Sequence, residues 1–296
     1  MNFKQQLQDK ITLIDKHLEK YLPQQYNEQK DIYEAMRYSL FAGGKRLRPA
    51  ITLACCEMLG GNLEDAMPFA CALEMIHTYS LIHDDLPAMD NDDYRRGKPT
   101  NHKVYGEALA ILAGDALLNK AFEITTSAEF IKDIPPQTAI AAVAAIAQAS
   151  GTEGMIGGQV VDMKSENQKI DQAQLTYMHS HKTGALIIAS AKVGALIAQA
   201  SQEQMETLTM YAHNIGLAFQ IKDDILDVEG SQEKLGKPIG SDTTNQKSTF
   251  VTLAGLEEAK KQVTSLTQDA IQRLEIFGQD AHFLIQLAEY LIYREH

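Results

Sequence analysis

Cysteine is scarce in this chain of 296 residues, which contains only Cys55, Cys56 and Cys71. An odd number of cysteines, two of them adjacent, does not provide the paired framework of a disulfide-stabilised domain. No histidine or further cysteine stands beside them at the spacing of a zinc site. The three thiols are therefore expected to be small buried side chains on helices.

The chain also lacks an apolar run that reads as a membrane span, which takes about 20 residues. The longest apolar runs, near 139–149 and 184–200, are rich in alanine and are interrupted by Gln148 or Lys192. The N-terminal residues are polar and contain no apolar signal core. We expect no membrane insertion and, most simply, a cytoplasmic protein.

Basic side chains are the minority, with 27 Lys and Arg against 39 Asp and Glu and a net charge of −12. A protein that binds nucleic acid needs a basic patch or stripe, so no nucleic-acid partner is expected. The acidic balance does not exclude an anionic ligand, because local Lys and Arg or a bound Mg²⁺ can reverse the field at a site.

Strand-like alternation of useful length is missing too, as are low-complexity segments and domain linkers. Apolar residues recur instead at helical spacing. Outside the acidic motifs, the predicted helices span 32–41, 105–127, 137–164, 248–278 and 280–294, with one more that begins near Gln172. These patterns predict an all-α fold and a single domain over residues 1–296.

Two apolar stripes each lead into a pair of aspartates. In the first, residues spaced four, three, four and four apart share one helix face: Phe69, Leu73, Ile76, Ser80 and Asp84. Asp84 opens the run Asp84-Asp85-Leu86-Pro87-Ala88-Met89-Asp90, and the loop predicted over 90–97 must fold back to present Asp90. A carboxylate directed towards a core needs a cation or several donors to offset its desolvation.

The second stripe has the same form and consists of Met205, Leu208, Ala212, Ile215 and Phe219. The next positions on it are Asp223 and Asp227, in Asp223-Asp224-Ile225-Leu226-Asp227. If the two helices face each other, they form a cavity with carboxylates at its mouth and apolar walls below. Carboxylates without His or Cys suit hard cations, above all Mg²⁺, which shares its shell with water and substrate phosphates.

The motif DDxxxxD followed by Arg95-Arg96-Gly97, with the later DDxxD, resembles the trans-isoprenyl diphosphate synthase family, and within it the bacterial farnesyl diphosphate synthases. The resemblance runs from about Gly43 to Lys247. It implies an isoprenoid synthase-type helical bundle around a central cavity, typically as a homodimer. It also implies the Mg²⁺-assisted condensation of isopentenyl diphosphate with dimethylallyl or geranyl diphosphate, which gives farnesyl diphosphate and pyrophosphate.

The resemblance assigns the metal and the first substrate to particular residues. The magnesium ligands would be Asp84, Asp85, Asp90, Asp223, Asp224 and Asp227. In Gly43-Gly44-Lys45-Arg46-Leu47-Arg48-Pro49, three cations at a helix entrance suit an anion, although the motif alone would equally fit a solvated basic turn. The family uses this motif for isopentenyl diphosphate, and the implied contacts are Lys45, Arg48, His77 and Arg96.

The allylic diphosphate would be bound by Arg95 together with four candidate catalytic residues: Lys182, Thr183, Gln220 and Lys237. Gly184 would let the helix kink and expose a carbonyl to the carbocation. Lys237 belongs to a long loop over 230–242, of the kind that often forms a lid. Gln159 and Asp162, in a glycine-rich helical segment, are possible supporting partners, and Lys247 could approach the phosphates or lie exposed.

Product length is a separate prediction. Tyr79 lies five residues before Asp84, about 7–8 Å deeper along the helix axis. An aromatic ring there, next to Ser80, could form the floor of the pocket and stop chain growth, and in the family it accompanies farnesyl products. Plain core packing of Tyr79 is the other interpretation.

Other functions fit the motifs less well. A geranylgeranyl or longer-chain synthase is the first alternative, and Tyr79 argues against it. Terpene cyclases usually carry one intact motif of the DDxxD type, whereas this chain has two. A non-catalytic subunit of a heteromeric synthase typically loses aspartates, and none is missing here.

Overall fold

The computed structural model describes residues 2–25, 27–165, 168–229 and 248–293, and the structural statements below concern these ranges. Its α-helices are α1 (Phe3–Tyr21), α2 (Lys30–Leu40), α3 (Leu47–Met58), α4 (Leu63–Asp84), α5 (Asn101–Tyr105), α6 (Glu107–Thr126), α7 (Pro136–Ser150), α8 (Met155–Ser165), α9 (Gln172–His179), α10 (Ala185–Ile197), α11 (Gln202–Glu229), α12 (Phe250–Ala254), α13 (Leu256–Arg273) and α14 (His282–Tyr293). A π-helical turn, Ser180–Gly184, joins α9 to α10, and a 3₁₀ segment, Leu274–Ala281, joins α13 to α14. The prediction of an all-α fold is confirmed.

Helix α4 lies at the centre of the bundle. It begins after Asn62, whose side chain accepts a hydrogen bond from the Glu64 N–H, as an N-cap should. Residues 66–76 are buried without a break, so the burial is wider than the single face that the stripe predicted. A helix that is apolar on all sides belongs inside a protein core, and α4 packs against α3 and α6.

Helix α10 connects the two helices that carry the aspartates. It packs against both α4 and α11, and on its other sides against α3 and α7. Its residues Ala189, Ser190 and Ala191 are almost fully buried. Such small side chains allow helices to approach closely, so α10 sets the spacing between the ends of α4 and α11.

The helix predicted over 137–164 is instead broken into α7 and α8 by a turn at 151–154. The backbone leaves the helix at Gly151, and glycine costs more conformational entropy to hold in a helix than other residues do. By length and composition alone, Pro136–Ser165 could cross a membrane. The break leaves helices of 15 and 11 residues, each shorter than the roughly 20 residues that a span needs.

The loop predicted over 90–97 contains part of a small hairpin. Tyr94–Arg95 and Lys98–Pro99 pair as two antiparallel strands. The connecting residues Arg96 and Gly97 have φ values of 53° and 73°, as in the tight turns that suit hairpins. Sequence alternation could not predict strands of two residues.

Candidate active site

The carboxylate of Asp84, at the end of α4, lies in a network that reaches two other helical segments. Its Oδ1 accepts a hydrogen bond from Gln159 Nε2 at 2.6 Å, and its Oδ2 lies 3.7 Å from Lys182 Nζ. Lys182 also donates to Asp162 Oδ2 at 2.5 Å. Burial alone would lower the pKa of Lys182, but the charges of Asp84 and Asp162 outweigh it and raise that pKa. Lys182 is therefore a fixed cation between two acids.

The π-helical turn brings Lys182 to this position. One extra residue per turn widens the helix over Ser180–Gly184, a feature that is frequent at functional sites. Helix α8 approaches so closely that a Cβ at Gly158 would lie 2.1 Å from the Lys182 backbone nitrogen. The predicted kink at Gly184 thus takes the form of a π turn, and Thr183 belongs to it as well.

Asp85, the next residue, is paired with an arginine. Its Oδ1 accepts a hydrogen bond from Arg95 Nε at 2.7 Å and lies 2.5 Å from Arg95 Nη2 in an ion pair. Burial raises the pKa of Asp85 to about 6, while Arg95 opposes that shift. The loop folds back as predicted, because the Asp90 N–H donates to the Asp84 carbonyl at 2.9 Å.

The second motif places two of its aspartates, Asp223 and Asp227, on one side of α11. Gln220 Nε2 lies 3.4 Å from Asp223 Oδ2, which brings one catalytic candidate next to one metal candidate. Asp227 is buried. The stripe predicted that Asp223 and Asp227 share a helix face, and the spacing of four residues in a continuous helix places them so.

Asp224 has a different environment. Its Oδ2 accepts a hydrogen bond from the Phe250 N–H at 2.8 Å, at the start of α12. The same atom lies 3.7 Å from His179 Nε2. One oxygen of Asp224 is thus directed towards α12, so this carboxylate connects α11 to α9 and α12.

Among the described residues, no three His, Cys, Asp or Glu side chains converge closely enough to hold a metal ion alone. The acids of the first motif face cationic groups instead, Lys182 and Arg95. Magnesium usually takes one or two carboxylates from the protein and completes its shell with water and substrate phosphates. Carboxylates spread over two helix ends therefore fit Mg²⁺ that is held jointly with a diphosphate.

A cluster of cations lies beside the first half of the site. Burial lowers the pKa of Arg48 to about 10; Glu74 opposes this shift and Arg96 adds to it. Arg48 Nε is buried and has no hydrogen-bond partner among the described residues. Burial and the charges of Arg48 and Arg96 also lower the pKa of His77 well below its ordinary value. Crowded cations with unused donors make a strong site for an anion.

The basic loop is shaped to join this cluster. Arg96 donates from Nη1 to the Gly43 carbonyl. Gly44 has a φ of 132°, which residues with a side chain rarely adopt, and a Cβ there would lie 2.7 Å from the Arg96 guanidinium carbon. Glycine at this position therefore suits both the backbone of the loop and the path of the Arg96 side chain. The structure thus brings Arg48, His77 and Arg96 together, and Lys45 is exposed in the loop that Arg96 contacts.

Tyr79 is 6% exposed and lies within the largest apolar cluster of the described residues. Its ring meets His83 edge to face with centroids 5.7 Å apart. Its hydroxyl is buried without a hydrogen-bond partner in the described chain, and burial raises its pKa to about 12. Ser80 bonds to the His77 carbonyl. These contacts are compatible with both a pocket floor and core packing.

Lys237 and Lys247 lie outside the described residues. Gln159 and Asp162, which the sequence marked only as supporting candidates, contact Asp84 and Lys182 directly. In the sequence, these two residues could be recognised only as polar side chains three positions apart within a glycine-rich helical segment. That signal could not reveal which partners they would meet.

Comparison with known proteins agrees with this geometry. The sequence profile described as polyprenyl synthetase matches residues 29–281. A geranylgeranyl diphosphate synthase of Cyanophora paradoxa is 50% identical over 90% of this chain and 88% of its own. A farnesyl diphosphate synthase of Geobacillus stearothermophilus is 45% identical over 100% of this chain and 99% of its own.

A solved structure supports the same relationship. The crystal structure of an FPP/GFPP synthase from Zymomonas mobilis, in its apo form, superposes with a TM-score of 0.88 at 38% identity. It covers 98% of this chain and 99% of its own. With the sequence profile and the two-motif site, these matches show that the chain belongs to the polyprenyl synthetase family of prenyl diphosphate synthases.

Proposed function

We propose that the protein condenses isopentenyl diphosphate with dimethylallyl and then geranyl diphosphate, releasing farnesyl diphosphate and pyrophosphate. The observation that carries the proposal is the pair of unlike sites along the last turns of α4. An acidic site surrounds Asp84 with Lys182, and a cationic site surrounds Arg48 beside His77. A reaction between two diphosphates needs both. Relatives named farnesyl diphosphate synthase, at 45% and 46% identity, support this product.

Different residues would bind the two substrates. Bound Mg²⁺, held by Asp84, Asp85, Asp90, Asp223, Asp224 and Asp227, would neutralise the charge that develops on the leaving pyrophosphate. Arg95 and Lys182 would hold that diphosphate from the protein side, with Lys237 as a further proposed contact. Gln220 and Thr183 would direct their dipoles towards the allylic cation.

The cationic site would hold isopentenyl diphosphate through Lys45, Arg48, His77 and Arg96, so that its double bond meets the allylic carbon. The apolar core beneath Asp84 would exclude water, which would otherwise quench the cation. The final proton has an acceptor in the released pyrophosphate. No separate protein base is therefore needed.

An assay of the purified protein tests this proposal. It would be supplied with Mg²⁺, labelled isopentenyl diphosphate and dimethylallyl diphosphate, and the dephosphorylated products would be separated by length. Farnesol as the main product supports the proposal. Geranylgeraniol would favour the alternative product, which the 50% identical relative suggests. No product with any allylic primer would indicate a non-catalytic subunit.

Tyr79→Ala is expected to lengthen the product by at least one isopentenyl unit, because removal of the ring opens space one to two turns below Asp84. Tyr79→Phe is the matched control: it keeps the ring and removes only the unpaired hydroxyl, so farnesyl output should persist. The measurement is product length under identical substrate ratios. Unchanged farnesyl output from Tyr79→Ala would contradict the floor role.

We further propose one domain over residues 1–296, a cytoplasmic location and a homodimer. Large apolar side chains on α6, α7 and α8 are exposed: Ile111, Leu112, Ile140, Ile156, Val160 and Met163. A groove of about 470 Å³ borders Leu112 on α6. Exposed apolar surface of this kind marks contact sites between proteins, and a second copy of this chain is the proposed occupant.

Leu112→Arg is expected to yield monomers, because a charge at an apolar interface must be desolvated without a partner. Leu112 is 56% exposed, and Ile276, at 54%, offers a control position away from these helices. Light scattering after size-exclusion chromatography should report a dimer for the unmodified chain and for Ile276→Arg. A dimeric Leu112→Arg variant would place the interface elsewhere.

A further inference from the structure

A carboxylate is buried in the middle of α4, one turn before His77. Glu74 is 1% exposed and lies within the unbroken buried stretch of the helix. Its Oε1 accepts a hydrogen bond from Arg46 Nη1 at 2.9 Å. A carboxylate is costly to bury unless it is paired and hydrogen-bonded, and the metal and substrate assignments above give Glu74 no role.

Arg46, its partner, belongs to the basic loop but points away from solvent. Its Nε donates to Asp15 Oδ1 of α1 at 2.9 Å, and its Nη2 donates to the Leu40 carbonyl at 2.7 Å. The guanidinium is thus bound by α1, by α4 and by the end of α2. Arg46 is therefore a structural residue in the middle of a run of substrate-binding candidates.

The backbone of Arg46 explains why such an anchor is needed. Its φ of 46° and ψ of 35° are left-handed, a conformation that a residue with a side chain keeps only where its surroundings hold it. This turn directs the chain from Lys45 into the first residues of α3, where Arg48 lies. Release of Arg46 would let the loop relax and would disperse the cations on either side of it.

We propose that Glu74, together with Asp15, is a positioning residue for the isopentenyl diphosphate site. Through Arg46 it holds loop 43–48 in the shape that presents Lys45 and Arg48 to one diphosphate. This inference rests on the proposed function. The allylic side is built from Asp84, at the far end of α4, and from Lys182 and Asp162 in other segments. The loop that Arg46 anchors carries none of these residues, so the effect should be confined to one substrate.

The test compares Glu74→Gln, Asp15→Asn and the control Glu19→Gln. Glu19 lies on the same helix as Asp15 and makes a similar pair, 2.7 Å from Arg37 Nη2. We expect Glu74→Gln to raise the KM for isopentenyl diphosphate about tenfold or more and Asp15→Asn about threefold. The KM for geranyl diphosphate should stay within about twofold in both variants, and Glu19→Gln should change neither value.

Equal changes in both KM values, or no change in either, would overturn the proposal. Asp15 is 43% exposed, so Asp15→Asn keeps the test decisive if Glu74→Gln does not fold. Calorimetric titration with isopentenyl diphosphate alone separates this inference from the proposed reaction. If the unmodified protein binds isopentenyl diphosphate but forms no product, the reaction assignment fails. The ratio of the Kd of the Asp15→Asn variant to that of the unmodified protein then still decides the role of Asp15. If it does not bind, both proposals fail.

Discussion

Asp84→Asn is expected to lower kcat/KM for geranyl diphosphate by about 100- to 1,000-fold, the usual effect of removing one preorganised electrostatic group. The amide keeps the size of the side chain but loses the charge that faces Lys182 at 3.7 Å and that would hold Mg²⁺. The fold should survive, because Lys182 keeps its bond to Asp162. Steady-state kinetics and a thermal melt give the two readouts.

Asp9→Asn is the matched control for this substitution. Asp9 lies on α1, is exposed and accepts a hydrogen bond from Gln5 Nε2 at 2.8 Å. The change in net charge is the same, so kcat/KM should stay within about twofold if position rather than total charge matters. An Asp84→Asn enzyme that retains more than a tenth of its activity would contradict the assigned role of Asp84.

Gly158→Ala should have the second large effect, because its added methyl group would meet backbone rather than a flexible side chain. The new Cβ would lie 2.1 Å from the Lys182 nitrogen and 2.6 Å from its Cα. Such overpacking typically lowers the free energy of unfolding by about 1–3 kcal/mol. Displacement of Lys182 by about 1 Å should lower kcat about 100-fold.

Gly216→Ala provides the comparison, since its Cβ would meet its nearest neighbour at an ordinary 3.5 Å. Gly216 lies inside α11, where alanine is favoured over glycine by about 1 kcal/mol. The free energy of unfolding of the Gly216→Ala variant should be unchanged or higher, and its kcat should be unaltered. A Gly158→Ala variant with normal kcat would show that the π turn does not depend on this close approach.

The parts of the site that follow helical periodicity could be predicted from the sequence. Asp84 and Asp223 each continue an apolar stripe, and the geometry of a helix is local, so the spacing alone directs both carboxylates inward. The basic loop could also be recognised from local sequence. Its cations are adjacent in sequence and need no packing information to be grouped.

The contacts between distant segments could not be predicted in this way. Gln159 reaches Asp84 across 75 positions, and Arg46 reaches Glu74 across 28. These bonds depend on which helix faces meet, which spacing within one helix does not encode. A partial signal existed in Glu74, a charged residue within an otherwise apolar stretch, because an acid there must have a buried partner.

Local geometry escaped prediction where packing decides it. The segment around Lys182 has ordinary helical composition, yet the close approach of Gly158 accompanies a widened turn. The break at 151–154 falls inside the helix predicted over 137–164, where glycine destabilises the helix itself.

In the proposed reaction the two diphosphates are bound by opposite means, isopentenyl diphosphate by cations of the protein and the allylic diphosphate through Mg²⁺ on aspartates. This difference can be measured by titrating isopentenyl diphosphate and a non-ionising thio analogue of geranyl diphosphate, each with and without Mg²⁺. Without the metal, the analogue should lose at least about tenfold in affinity, because bare carboxylates repel its charge, whereas isopentenyl diphosphate should stay within about threefold. Equal losses for both ligands, or none for the analogue, would contradict the account.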